Sequence, residues 1–271
     1  MKKGHLFFDS KPEEEPMNKA SSFRARIRAG ERVFGTFFKL NCMDAAEIIG
    51  NAGFDFIIID TEHGNFSPVD VANIIRAADS VDMSSVVRVR SAADEEVLHA
   101  LDSGADGVQI PSVTSIEQAK TVCASAKYYP EGTRGLSMTQ RSARFGAWNL
   151  GQPYTEYANE SSLVVVHVEN MEMASRIDEL CDIPQIDVIF IGPGDLSQSL
   201  GVPGKLDDPQ LLEIIDTLIR KTLEKGKVAG IFCGNTAAVQ KYLNMGVNYI
   251  LYSSDTTLFY QAIAQARQSF E

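Results

Sequence analysis

At 271 residues with 44% hydrophobic content, the chain can bury one large core, and α/β barrels of about 250 residues fold as single domains. A formal net charge of -11 argues against nucleic acid or an anionic membrane as a partner. Cys42, Cys123, Cys181 and Cys233 lie far apart with no Cys-x-x-Cys pair, which excludes a zinc knuckle and a disulfide scaffold. No apolar run approaches about 18 residues and Leu6-Phe7-Phe8 is too short for a signal-peptide core, so a soluble cytoplasmic protein is expected.

Residues 1–20 read as a flexible tail, because Glu13-Glu14-Glu15 between Pro12 and Pro16 combine charge and breakers without periodicity. The folded domain is predicted over residues 21–271, with Ser21-Ser22 capping a first helix that carries Phe23 and Ile27 and ends at Gly30. Apolar runs then predict strands at Val33–Phe38, Phe56–Asp60, Ser85–Val89, Gly107–Ile110, Leu163–Glu169, Val188–Ile191, Val228–Phe232 and Tyr249–Ser253. Amphipathic stretches between them predict helices, among them Met43–Ala52, Val69–Asp79, Asp94–Ser103, Ser115–Ala126, Pro209–Lys225 and Thr236–Met245. Gly53, Gly104 and Gly246 stand where a helix C-terminal glycine belongs, just ahead of the next strand. Eight strand–helix repeats imply a parallel sheet closed into a (β/α)8 barrel. The longest irregular stretch, Tyr128 to Glu160 with the only tryptophan, Trp148, is expected to form a lid or a subunit contact.

A barrel places its chemistry at the C-terminal ends of its strands. Strand two ends in Asp60, followed by Glu62 and His63; an acid beside a histidine orients an imidazole and raises its basicity. Strand three carries Arg88 within an apolar run, where a buried arginine needs an anionic partner; Arg90 at the mouth reads as a surface charge or helix partner. His167 and Glu169 share one face of strand five. Strand six runs into Gly192-Pro193-Gly194-Asp195, a strand–turn–helix with free amides that suits an anion. Asp195 there is either a helix cap or a metal ligand. Glu169 and Asp195 end adjacent strands, and two carboxylates with water and substrate oxygens suit octahedral Mg2+ or Mn2+. His99 lies on a predicted helix and reads as structural, His5 falls in the tail, and Lys39 near the end of strand one has no evident partner for a Schiff-base role.

The combination of Phe54-Asp55 through Asp60-x-Glu62-His63, Val86-Val87-Arg88, Tyr129-Pro130-x-Gly132-x-Arg134-Gly135, Glu169, Ile191-Gly-Pro-Gly-Asp-Leu-Ser and Asp255-Thr256-Thr257 resembles the HpcH/HpaI aldolase family. Its metal-dependent pyruvate aldolases, of the 4-hydroxy-2-oxoheptane-1,7-dioate type, are the nearest group, and the resemblance runs from about Phe23 to the C-terminus. It implies an oligomeric barrel that binds pyruvate through a divalent metal (Mg2+ or Mn2+, or Co2+) held by Glu169 and Asp195. It further implies that Arg88 stabilises the enolate, that His63 paired with Asp60 handles protons, and that the backbone at Gly194-Asp195 receives the pyruvate carboxylate. The partners are then a small 2-oxo acid, an aldehyde and further copies of the chain.

The runner-up is decarboxylation of oxaloacetate, with capture of the enolate by another acceptor as in macrophomate synthase-like relatives; a non-catalytic barrel is the remote alternative. Two positions depart from the family pattern. His167 stands where a glutamine is common, and Tyr252-Ser253-Ser254 replace small apolar residues before Asp255. His167 lies about 7 Å deeper than Glu169 by strand rise, which favours a hydrogen bond to a substrate oxygen or metal-bound water over metal ligation.

Overall fold

The structure, a computed structural model, describes residues 19–270, with side chains from Phe23 onward; the predicted tail up to residue 18 lies outside the described residues. Eight parallel strands close into a barrel in chain order: β1 (Val33–Phe38), β2 (Phe56–Asp60), β3 (Ser84–Arg88), β4 (Gly107–Ile110), β5 (Leu163–Val168), β6 (Val188–Ile191), β7 (Val228–Cys233) and β8 (Tyr249–Ser254). The strands are apolar along their length because both faces are covered. On β2, Phe56 and Ile58 point into the barrel with Val86, Val165 and Leu251, while Ile57 and Ile59 pack outward under the helices. That is the two-residue alternation of a strand.

The barrel interior is crowded enough to require glycine. A Cβ on Gly35 would lie 2.5 Å from the Phe56 ring, and one on Gly230 would lie 2.9 Å from Tyr249 and 3.0 Å from Phe190. Those two positions admit the rings that fill the interior.

The floor is closed by the helix Lys19–Arg28, which begins ahead of the Ser21–Ser22 pair expected to cap it. Phe23 and Ile27 are fully buried in the interior cluster, and Phe23 lies 5.3 Å from Phe56, ring to ring. The Tyr128–Glu160 insert is not a lid. It holds a helix, Tyr154–Ser161, and its Trp148 ring packs 5.1 Å from Tyr154 and 4.7 Å from Tyr157. This aromatic cluster borders a cavity of about 550 Å3 together with Asp82, Asp106 and Ser162, residues just before β3, β4 and β5. The insert therefore buries its rings against the N-terminal ends of the strands, opposite the mouth.

Pairing between β8 and β1 slips at the top, from Gly35 opposite Leu251 to Phe37 opposite Ser254, so three residues of β8 span two of β1. Ser253 takes a left-handed backbone, φ +58°, at this bulge. Bulges re-aim side chains at barrel rims, and this one brings Ser254 to the mouth.

Candidate active site

Asp60 closes β2 level with Arg88 of β3, so parallel register alone sets their side chains together. Arg88 donates from Nε to Asp60 Oδ1 at 2.9 Å and from Nη2 to Oδ2 at 2.7 Å, a bidentate charge-assisted pair. Its third nitrogen, Nη1, stands 3.0 Å from Glu62 Oε2, and its guanidinium lies 4.5 Å above the Phe37 ring. Lys39 Nζ, for which the sequence offered no partner, is 3.3 Å from Asp60 Oδ2. Burial pushes the Asp60 carboxyl up, but Arg88, the His63 amide and Lys39 bring it below its ordinary value. Glu62 goes the other way: burial and the Glu169 charge outweigh Arg88 and hold it raised.

The expected pairing of the His63 imidazole with Asp60 is not formed. Asp60 Oδ1 accepts the backbone N–H of His63 at 3.1 Å, and the turn is tightened by Gly64 N–H on Asp60 O at 2.9 Å. A turn this tight offers the carboxylate a backbone amide and directs the imidazole outward, where Nε2 lies 3.8 Å from Glu62 Oε2 with more than half of the side chain exposed.

Glu169 follows β5 directly. Its Oε2 faces His167 Nδ1 at 2.8 Å, and its Oε1 closely accepts the N–H of Ser112, a residue in left-handed backbone, φ +56°, after β4. Burial raises the Glu169 carboxyl, but His167, the Ser112 amide and Arg88 carry it below its ordinary value. Gly192 gives it room: a Cβ there would crowd Glu169 Cβ at 3.3 Å.

Asp195 sits in the first turn of the helix Pro193–Ser199, whose N-cap is Gly192 with no side-chain bond. The capping role open to Asp195 is therefore not taken. Its carboxylate is exposed beside the amides of Gly194 and Asp195, which precede the first intrahelical bond, Leu196 N–H to Gly192 O at 3.0 Å.

These groups line a cavity of about 240 Å3 at the C-terminal mouth, which gathers Lys39, Arg88, His167, Glu169, Gly194 and Asp195, with Ser254 from the β8 bulge. Asp60 stands behind Arg88, and His63 is not in the lining. Lys39, which the sequence offered only as an unpartnered lysine, and Ser254, noted there only as a departure from the family pattern, join this lining; their signal in the sequence was their position at strand ends. Among the described residues no three His, Cys, Asp or Glu side chains form a metal cluster. Glu169 and Asp195 are the two carboxylates in this lining, and such oxygen donors, completed by water and substrate, could hold a divalent cation of the Mg2+ or Mn2+ kind. No helix among the described residues is long and apolar enough to cross a membrane.

A family model described as HpcH/HpaI aldolase/citrate lyase matches residues 33–262. A 2-keto-3-deoxy-L-rhamnonate aldolase of Escherichia coli strain K12 is 32% identical over 252 residues, covering 93% of this chain and 94% of that protein. A hydroxypyruvate/pyruvate aldolase of Agrobacterium fabrum is 33% identical over 240 residues, 88% of each. Among solved structures, an HpcH/HpaI aldolase/citrate lyase family protein from Burkholderia cenocepacia superposes with a TM-score of 0.87 at 30% identity, over 92% of this chain and 99% of that one. The barrel, the mouth and these likenesses agree: the chain belongs to the HpcH/HpaI aldolase/citrate lyase family and is a carbon–carbon lyase.

Proposed function

We propose that the protein is a divalent-metal-dependent aldolase that cleaves or forms 4-hydroxy-2-oxo acids, with pyruvate, as its enolate, on one side and an aldehyde on the other. The observation that carries this reading is the convergence of Glu169, Asp195 and Arg88 on one mouth cavity beside the free amides of Gly194 and Asp195. The likeness to aldolases acting on 2-oxo acids supports it.

Cleavage beside a 2-oxo group leaves negative charge on the keto oxygen. Glu169 and Asp195 would hold a divalent cation, which would supply positive charge for it. Arg88 adds a fixed cation whose orientation is locked by Asp60 and Glu62, so it needs no reorganisation as charge develops. The amides of Gly194 and Asp195 receive the substrate carboxylate. His63 stands outside the lining, with Glu62 rather than Asp60 as its acidic neighbour, so it takes the 4-hydroxyl proton through an intervening water rather than directly. A homo-oligomer belongs to this reading, supported by the helix Asp255–Gln268, which buries only Asp255 and leaves Phe259 60%, Tyr260 73% and Ile263 53% exposed.

The test is a panel of 4-hydroxy-2-oxo acids assayed for release of pyruvate with EDTA, Mg2+, Mn2+ or Co2+. Metal-restored cleavage of at least one is expected. Decarboxylation of oxaloacetate with no cleavage of any 4-hydroxy-2-oxo acid would assign the enolate to another use, and full activity in EDTA would remove the metal.

A further inference from the structure

Three polar side chains stand in the barrel interior with almost no solvent access: Tyr249 and Gln109 at 0% and His167 at 2%. They come from β8, β4 and β5 and form one chain of hydrogen bonds. Tyr249 Oη lies 3.4 Å from Gln109 Oε1, Gln109 Nε2 lies 2.6 Å from His167 Nε2, and His167 Nδ1 lies 2.8 Å from Glu169 Oε2. The Glu169 carboxylate fixes the sense of every link, because it can only accept. Nδ1 must therefore carry a proton and donate. Nε2 faces the Gln109 amide nitrogen, which donates to its lone pair, and the Gln109 carbonyl is left to accept from the tyrosine hydroxyl. The His167 ring is steadied from the side by Phe190, 4.8 Å away at 32°.

We propose that Tyr249, Gln109 and His167 are positioning residues that set the orientation of the Glu169 carboxylate before any ion arrives. This rests on the reading of Glu169 as a metal ligand. Apolar side chains of the same volume would close this interior without the cost of burying polar groups; the polar chain supplies direction instead. With His167 on Oε2 and the Ser112 amide on Oε1, each carboxylate oxygen has one protein donor and keeps one lone pair for the mouth. The same bonding corrects the expectation that His167 meets a substrate oxygen or metal-bound water. Both of its ring nitrogens are already used, and either could bind a ligand only by releasing Gln109 or Glu169.

Outer partners of this kind typically govern metal affinity by about 10–100-fold. The test is calorimetric titration of the metal-free full chain with Mn2+, beside its thermal unfolding, for wild type, Glu169→Gln, Gln109→Met, Tyr249→Phe, His167→Leu and the double variant Gln109→Met/His167→Leu. Gln109→Met is expected to weaken Mn2+ binding about tenfold and Tyr249→Phe, one link further away, about threefold. Gln109→Met should add no further loss in the His167→Leu background, because the transmitting ring is gone. A merely structural role would lower the unfolding temperature and leave the affinity alone, which overturns the proposal. So would an equal loss from Gln109→Met in both backgrounds. Tyr249→Phe removes a single oxygen and keeps the test open if Gln109→Met does not fold. If wild type binds Mn2+ and Glu169→Gln binds it equally well, Glu169 is not a ligand and the underlying reading fails, a result distinct from failure of the chain alone.

Discussion

The barrel holds two buried arginine–aspartate pairs of nearly the same geometry, one at each end. On the floor, Arg24 bonds Asp187 through Nε and Nη2, both at 2.9 Å; at the mouth, Arg88 bonds Asp60 through the same two nitrogens at 2.9 and 2.7 Å. Both aspartate side chains are fully buried. The pairs differ in what their remaining groups meet. The third nitrogen of Arg24 donates to the carbonyls of Asn159 and Glu160 at 3.0 and 2.7 Å, and Asp187 also accepts from Arg28 at 2.9 Å and the Val164 amide at 3.1 Å. Every group there is spent on the chain itself, which ties the first helix to the barrel. Arg88 gives its third nitrogen to Glu62, Asp60 takes on a second cation, Lys39, and the assembly faces a cavity. The same contact closes the fold at one end and presents charge at the other, so the surroundings and not the pair decide its use.

Substitutions at the two ends should therefore separate activity from stability. Glu169→Gln or Asp195→Asn is expected to have the largest effect: loss of all metal-dependent turnover with a retained unfolding transition, because strand ends at the mouth contribute little to the core. Turnover in wild type that survives EDTA would break that expectation. Arg88→Lys keeps the charge but not the planar fork. It should lower kcat by about 100-fold or more, and a rise in KM with kcat intact would make Arg88 a ground-state anchor. Arg24→Met sharpens the contrast from the other end. Leaving Asp187 with only Arg28 and the Val164 amide should cost about 3 kcal/mol in urea unfolding, while the folded enzyme keeps its kcat. A kcat loss comparable with that of Arg88→Lys would show that the two ends are not separable in this way.

The frame of the molecule was legible because it rests on patterns local in the chain. Strands such as Val188–Ile191 are apolar runs that a glycine and proline turn cuts short, and their ends name the level of the mouth. Glu169, Asp195 and Arg88 followed from those ends. What the sequence hid were partners set by closure or by atomic detail. Gln109 meets His167 across 58 positions, and nothing in either strand announces it. Asp60 and His63 lie three residues apart, yet turn geometry pairs the carboxylate with the backbone amide rather than the ring. The β8 bulge that brings in Ser254 depends on the register with β1. Part of the resemblance also proved to be architecture. A Cβ on Gly132 would lie 2.1 Å from the Ala124 carbonyl oxygen, and Arg134 pairs with Asp102 at 2.6 Å, both away from the mouth.

The smallest effect expected is a pH slope from the floor. Lys127 is fully buried, and its amine donates to the carbonyls of Asn159 and Ser162, both at 2.7 Å. Burial first, and then the nearby Arg24 charge, lower its pKa to about 7 against the partial offset of Asp187 and Glu131. The unfolded chain keeps that proton up to about pH 10.4. Between the two values it therefore binds more protons than the folded chain, and stability rises with pH. Above pH 9 the sign is opposed by Cys123, whose thiol burial pushes up to about 12, so the folded state holds a proton the unfolded state loses. The clear window is pH 7 to 9, across which Lys127 should add about 2 kcal/mol. Lys127→Met will be less stable at every pH because the buried carbonyls of Asn159 and Ser162 each lose a donor, Asn159 keeping Arg24, so only the slope is diagnostic. Urea unfolding of both proteins across that window should show wild type gaining stability on the variant as pH rises, and parallel curves would mean that Lys127 stays charged in the fold.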